Sequence, residues 1–341
     1  MSAMNVLKRW QFWLGLGVSL FFLYFALRGL RLLDLLDVLQ GANYWWLLPG
    51  IAVYFLAVWA RAWRWHYLLH PIKPISTRQL FPITVIGYLG NNIFPARLGE
   101  VLRAVILKKD HQVAISASLA TIIVERIFDG VTMLAFIFVN LTELAQLTTS
   151  SGFVGNIQQL ALWGTLIFLG VLAIFLLAAM FPERTLTFVR LVAVRLPGKW
   201  GSTLLDLAER FLGGLAALRS PFTILMIFLT SVVIWLLETL KYWFVMHAFP
   251  FEVSFFTLML MNGIVNLATT IPSAPGYIGT FDAPGIAVLT AYGVPKAIAA
   301  GYTLVLHAAL WLPVTALGAY YLLREGIGWS METFEKMRAE G

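Results

Sequence analysis

Eleven charged residues lie inside long apolar stretches of this chain: Arg61, Arg64, Arg97, Arg103, Arg126 and Lys241, with Glu100, Glu125, Asp129, Glu238 and Asp282. A charge alone at the centre of a bilayer costs about 2.5–3.5 kcal/mol on insertion scales, so each must pair, line a wet cavity or snorkel to an interface. Arg64, near the end of its stretch, is expected to snorkel. Arg97 and Arg103 bracket Leu98-Gly99-Glu100 just after Pro95. Proline favours the first turn of a helix, and a half-helix starting here would aim its free N–H groups and positive dipole end into the membrane interior. With two guanidinium groups beside it, such a point suits a phosphate. Asn92, Arg61 and Lys241 are the further candidates for contact with a lipid phosphate, and Glu100 is the local counter-charge for Arg97 or Arg103.

Glu125 and Asp129 stand four apart on one helix face, with Arg126 directed aside. They can accept Arg97 or Arg103 from another helix, or hold a proton coupled to transport. Glu238 and Lys241, three apart, can satisfy each other. Asp282 follows a second broken stretch, and His307 in the last apolar run can relay protons or hydrogen-bond within the core. Trp59, Trp63 and Trp65 fit an interfacial aromatic belt. Cys is absent, and no HExxH, GxSxG, P-loop or His-rich metal cluster occurs, so no catalytic residue, metal or cofactor is expected.

These charges have to be positioned by membrane-spanning helices. Of the 341 residues 60% are hydrophobic and 12% charged, with a mean hydropathy of +0.82. Soluble domains carry roughly a quarter charged residues, so the bilayer is the solvent. Apolar runs near 11–28, 45–68, 115–140, 159–181, 221–248 and 297–322 are long enough to cross it. Two more, 79–107 and 254–294, are interrupted by NNIFPARLG and by TTIPSAPGYIGTFDAPG. The predicted fold is therefore an all-α polytopic membrane protein with about six full spans and two re-entrant helical hairpins, eight apolar segments in all. The backbone of the hairpins depends on Pro95, Gly99, Pro275, Gly276 and Gly279. Pro272 and Pro275 lack N–H donors and leave carbonyls free, which is tolerated at membrane depth only inside protein or a wet cavity.

Treating both interrupted runs as hairpins places fifteen Lys and Arg on the cytoplasmic flanks against Arg28, Arg31 and Lys296 outside, as the positive-inside rule requires. The net charge of +7 is thereby accounted for, and nucleic acid is not expected as a partner. Both termini fall in the cytoplasm and the location is the cell membrane. Residues 1–140 form a first repeat with a cytoplasmic hairpin at 79–107. Residues 141–221 hold an external loop, a span and an amphipathic linker in which Leu204, Leu205, Leu207, Phe211, Leu212 and Leu215 face lipid. Residues 222–325 complete a second repeat with an external hairpin at 254–294, and 326–341 form a tail. The second repeat enters from the opposite side, an arrangement common in transporters. Between the repeats, Pro95, Gly99 and Arg61 recur as Pro275, Gly279 and Lys241, each 180 positions later.

The spacing N-x-x-P-x-R-x-G-E-x-x-R, read at Asn92, Pro95, Arg97, Gly99, Glu100 and Arg103, joins E-R-x-x-D at Glu125, Arg126 and Asp129 and the run Pro275-Gly276-Tyr277-Ile278-Gly279. Together these resemble the lysylphosphatidylglycerol synthase transmembrane-domain family, the flippase-like UPF0104 group, over roughly residues 10–325. The resemblance implies movement of a lipid between leaflets. In the multiple peptide resistance factor the similar module moves aminoacylated phosphatidylglycerol, and a separate C-terminal domain performs the aminoacyl transfer. No such domain is expected here, so lipid aminoacylation is not. The leading expectation is a translocase, flippase- or scramblase-like, for an anionic phospholipid or a polyprenyl-phosphate-type lipid. Membrane lipids are then the substrate, and a homo-oligomer or a lipid-biosynthetic partner is compatible with it. Two alternatives stand beside it: a membrane enzyme or accessory subunit acting on lipid-linked head groups, and a small-solute or ion-coupled secondary transporter.

Overall fold

The computed structural model describes residues 10–94, 98–140, 153–196, 199–271 and 273–324, and these form thirteen α-helices and no strand. Pro95, Arg97, Pro272, residues 141–152 of the expected external loop and the tail 326–341 lie outside the described residues, and 153–158 of that loop are already helical. In chain order the helices are α1 Trp10–Leu27, α2 Leu32–Gly41, α3 Leu47–Leu69, α4 Thr77–Ile93, α5 Leu98–His111, α6 Ile115–Val139 and α7 Phe153–Met180. They continue with α8 Pro182–Ala193, α9 Trp200–Gly214, α10 Pro221–Met246, α11 Phe255–Ala268, α12 Asp282–Ala291 and α13 Lys296–Arg324.

By length and apolarity three helical stretches can cross a membrane: Tyr44–Leu69, Pro221–Met246 and Lys296–Arg324. The number rises to five if each of two bent pairs is one span, Leu16–Leu27 with Leu32–Gly41 at 85° and Leu166–Met180 with Pro182–Ala193 at 100°. Helix α6 has 25 residues, but Glu125, Arg126 and Asp129 at its middle keep it from qualifying on apolarity alone.

Each interrupted run becomes two helices. Ser76 opens α4 in a capping box, its N–H and hydroxyl both bonding Gln79 Oε1 at 3.2 and 2.8 Å. α4 ends at Ile93, and the chain returns as α5 from Leu98. The two halves touch backbone to backbone: the Gly99 N–H donates to Asn91 Oδ1 at 3.0 Å, and a Cβ on Gly99 would overlap the Gly87 carbonyl oxygen. In the second run α11 ends at Ala268 and α12 starts at Asp282, with a single turn at Pro275–Tyr277 between them. That turn needs positive φ at Gly276 (74°), Tyr277 (61°) and Gly279 (83°). At Gly276 a Cβ would also come within 2.7 Å of Trp311 Nε1, so only glycine fits.

α3 and α10 form the central contact of the fold. Around them α4 packs on α3, α5 and α13, while α11 packs on α10, α12 and α6. α5 also lies against α6 and α12 against α13. Exchanging α3 with α10, α4 with α11, α5 with α12 and α6 with α13 reproduces this set of neighbours.

The linker helices differ from expectation. Leu207 is exposed, as are Phe188, Leu191 and Trp200, but Leu212 and Leu215 are buried. α9 docks against α6, where Gly214 sits on the backbone of Ala117. Only part of its apolar face is therefore free for lipid, because the rest is used by the protein core.

Candidate functional site

Helical spacing sets up the site before any tertiary contact forms. Tyr54, Arg61 and Trp65 recur at sevens and fours along one flank of α3, with Arg64 beside them. Ser231, Trp235, Glu238 and Lys241 do the same on α10, and Thr121, Glu125 and Asp129 on α6. Packing α3 between α10 and α6 brings these faces together, and α5 adds Arg103 and Glu100.

Asp129 is the hub. It accepts Arg64 Nη1 at 2.6 Å and Nη2 at 3.3 Å, Trp235 Nε1 at 3.0 Å, and ion pairs from Arg61 at 3.5 Å and Arg126 at 3.3 Å. Arg64 also donates to Ser231 Oγ at 2.8 Å. Glu125 takes Arg103 Nη1 at 2.9 Å and lies 3.9 Å from Arg64 Nε. Glu238 bridges Arg61 Nη2, at 3.1 Å, and Lys241. Aromatic faces supply the remaining contacts: Arg103 stacks 3.9 Å from the Trp65 centroid, Lys241 lies 4.4 Å from Tyr54, and Arg61 lies 5.2 Å from Trp235.

Four sequence expectations are corrected. Arg64 does not snorkel; it is fully buried, because Asp129 and Ser231 meet it inside the bundle. Arg126 does not point aside, since it reaches Asp129 one turn on and Glu100 at 3.6 Å. Glu100 therefore pairs with Arg126 and not with Arg103, whose partner is Glu125. Trp65 is no belt residue: it is buried, donates to Thr121 Oγ1 at 3.0 Å and carries the Arg103 guanidinium, whereas Trp59 and Trp63 stay exposed.

The other candidates are brought to the same place, apart from Pro95 and Arg97, which lie outside the described residues. A cavity of about 160 Å³ opens between the two broken runs. Its wall takes Arg61 from α3, Arg103 and Glu100 from α5, Glu125 and Arg126 from α6, and Glu238 and Lys241 from α10. Asn92 at the end of α4 lines it while donating to Thr315 Oγ1 at 2.8 Å, and Gly276, Tyr277 and His307 close it from the other side. Asp282 stands just behind: Oδ2 accepts the Gly279 N–H at 2.8 Å and Oδ1 meets His307 Nδ1 at 2.8 Å.

Five cations (Arg61, Arg64, Arg103, Arg126, Lys241) face four carboxylates (Glu100, Glu125, Asp129, Glu238), a surplus of one positive charge among the described residues. Arg103 uses Nη1 for Glu125, while Nε and Nη2, buried, have no hydrogen-bond partner among the described residues. That edge presents two parallel donors, the geometry that matches two oxygens of a phosphate or carboxylate. No group of three His, Cys, Asp or Glu side chains among the described residues is placed to hold a metal ion.

Sequence reasoning missed Tyr54, Tyr88, Asn91, Trp235 and Asn266 in the cavity wall and Ser231 behind it. Ser231 and Trp235 carried a signal, being seven and three residues before Glu238 on the same helix face.

The family profile described as the lysylphosphatidylglycerol synthase TM region matches residues 12–318. A UPF0104 membrane protein of Methanothermobacter thermautotrophicus is 28% identical over 294 residues, covering 81% of this chain and 83% of the relative. A UPF0104 membrane protein of Pyrococcus horikoshii is 24% identical over 303 residues, covering 85% and 90%. One from Methanocaldococcus jannaschii is 24% identical over 239 residues, covering 70% and 95%. The matched region holds every residue of the cavity wall and all nine members of the charge cluster, so this multi-pass membrane protein belongs to the lysylphosphatidylglycerol synthase transmembrane-region family.

Proposed function

We propose that the protein translocates an anionic lipid between leaflets, with the head group held in the cavity between the two broken runs while the acyl chains stay in the bilayer. The observation that carries this reading is the Nε/Nη2 edge of Arg103, without a hydrogen-bond partner among the described residues, in a buried cluster whose described members carry one surplus positive charge. Buried donors without a partner are costly, and a phosphate drawn to that edge satisfies them. Arg61, Lys241 and Asn92 line the same space. Glu100, Glu125, Asp129 and Glu238 hold the empty site near neutrality, and exchange of their partners releases the lipid.

The packing of the helices supports an inverted repeat, because swapping α3–α6 for α10–α13 leaves the neighbour set unchanged. In this reading the α4/α5 hairpin enters from the cytoplasm, the α11/α12 hairpin enters from outside, and both termini are cytoplasmic. Two discontinuous elements meeting at one site from opposite faces is the geometry that alternating access needs.

The test is leaflet exchange of fluorescent phosphatidylglycerol in reconstituted vesicles, with phosphatidylcholine as the neutral comparison. A bidentate bond to a charged group contributes about 1.5–3 kcal/mol, so Arg103→Ala is expected to slow exchange roughly 10- to 150-fold. Equal rates for wild type and variant, or no acceleration by the wild type, overturn the proposal. Mass spectrometry of the same lipids separates translocation from a membrane enzyme, which would leave an altered head group.

A further inference from the structure

The second broken run carries a titratable pair that the anion site does not use. His307 on α13 has an acceptor at each ring nitrogen: Nε2 lies 2.7 Å from the Gly276 carbonyl oxygen, and Nδ1 lies 2.8 Å from Asp282 Oδ1. A carbonyl oxygen only accepts, so Nε2 must hold a hydrogen. Nδ1 and the carboxylate must then share another, either as imidazolium with carboxylate or as imidazole with carboxylic acid. In both forms the pair is neutral overall and holds one proton more than a neutral ring beside a carboxylate.

The two bonds of the ring pin the turn to the span. Gly276 belongs to the break, Asp282 starts α12, and Gly276, Tyr277 and Gly279 all have positive φ. The Phe281 ring lies over the imidazole at 4.5 Å between centroids. Loss of the extra proton leaves one N–H for two acceptors, so either the Gly276 or the Asp282 attachment is given up. The strained turn is then held at one point where it was held at two.

We infer that the His307–Asp282 pair is a proton-binding site that latches the second hairpin to α13 and couples proton release to its movement. The proton leaves to water through the cavity, which His307 lines. The titratable and charged groups that share the cavity wall with the ring are Tyr54 and Arg61 of α3, Tyr88 of α4, Glu238 and Lys241 of α10 and Tyr277 of the turn, with Glu100 and Arg103 of α5 and Glu125 and Arg126 of α6 further round it. Glu238 is engaged by Arg61 and Lys241, so among the described residues Asp282 of α12 is the one charged group bonded to the imidazole. α2, with Asp34 and Asp37, meets α13 at Gly301, about 9 Å along the helix from His307. The coupling to transport rests on the lipid-translocase reading; the proton site itself does not.

Two measurements keep these apart. Hydrogen–deuterium exchange of residues 273–281 in the purified full chain, corrected for the chemical exchange rate, reads the latch without any lipid transport. Protection is expected to fall as pH rises, by up to about tenfold per unit for a one-proton step, and to show no such step in His307→Gln or Asp282→Asn. A flat wild-type profile, or the same step in both variants, overturns the proton site. Phosphatidylglycerol exchange in vesicles reads the coupling: the wild-type rate should change with pH over the same range and the His307→Gln rate should not. A wild-type rate independent of pH, with the latch step present, overturns the coupling. No exchange by the wild type at any pH removes the translocase reading and the coupling with it, and leaves the proton site to stand or fall on the first measurement.

Discussion

Asp129→Asn is the sharpest test of the charge cluster. The carboxylate receives two bonds from Arg64, one from the Trp235 indole, and ion pairs from Arg61 and Arg126. Asparagine keeps the shape and one acceptor oxygen but turns an N–H₂ toward cationic neighbours. Among the described residues the surplus of one positive charge becomes two, with five cations against three carboxylates. Removing one partner of a buried ion pair costs about 3–5 kcal/mol, because the remaining charge is left uncompensated. That corresponds to a fall of roughly two to three and a half orders of magnitude in the folded-to-unfolded ratio. Glu100→Gln is the internal comparison. Its carboxylate is partly exposed and 3.6 Å from Arg126, so its loss should cost about 0–1 kcal/mol. Unfolding in mixed detergent micelles, followed by tryptophan fluorescence, measures both. Adding Arg64→Met to Asp129→Asn restores the charge balance, and the double variant should recover at least 1 kcal/mol relative to additivity, within the 0.5–3 kcal/mol range for residues in one network. Equal costs for Asp129→Asn and Glu100→Gln, or strict additivity in the double variant, would refute the hub assignment.

Other consequences can be checked with the same preparations. Gly99→Ala puts a methyl group into the Gly87 carbonyl oxygen, which belongs to backbone and cannot step aside, so the α4/α5 hairpin should lose about 1–3 kcal/mol in the unfolding assay. Gly276→Ala combines φ of +74° with a close approach to Trp311, and should cost at least 1–2 kcal/mol, roughly the left-handed backbone penalty, with deuterium uptake rising at 273–281. Trp65→Phe retains an aromatic face for Arg103 but removes the bond to Thr121. It should cost about 1 kcal/mol, whereas Trp65→Leu should also slow phosphatidylglycerol exchange by freeing the Arg103 guanidinium.

Much of the molecule can be read along the chain because it depends on local chemistry. Helices arise wherever apolar runs must satisfy their own backbone in lipid, and the two breaks fall where Pro and Gly interrupt those runs. The charges that matter were visible as charges in the wrong solvent, and one-turn relations such as Glu238 with Lys241 followed from helical spacing. Their long-range partners were not visible. Arg64 meets Asp129 across 65 positions and Arg61 meets Glu238 across 177, so nothing in the neighbourhood of either arginine signals its mate. Whether Arg64 snorkels or is buried, and whether Glu100 serves Arg103 or Arg126, depends on which helix faces are pressed together. Only the packing of α3 between α10 and α6 decided that. The sequence by itself determined that these charges must be neutralised within the membrane, because hydrocarbon forbids the alternative. The tertiary structure decided which neutralises which, and that among the described residues the Nε/Nη2 edge of Arg103 is left without a partner.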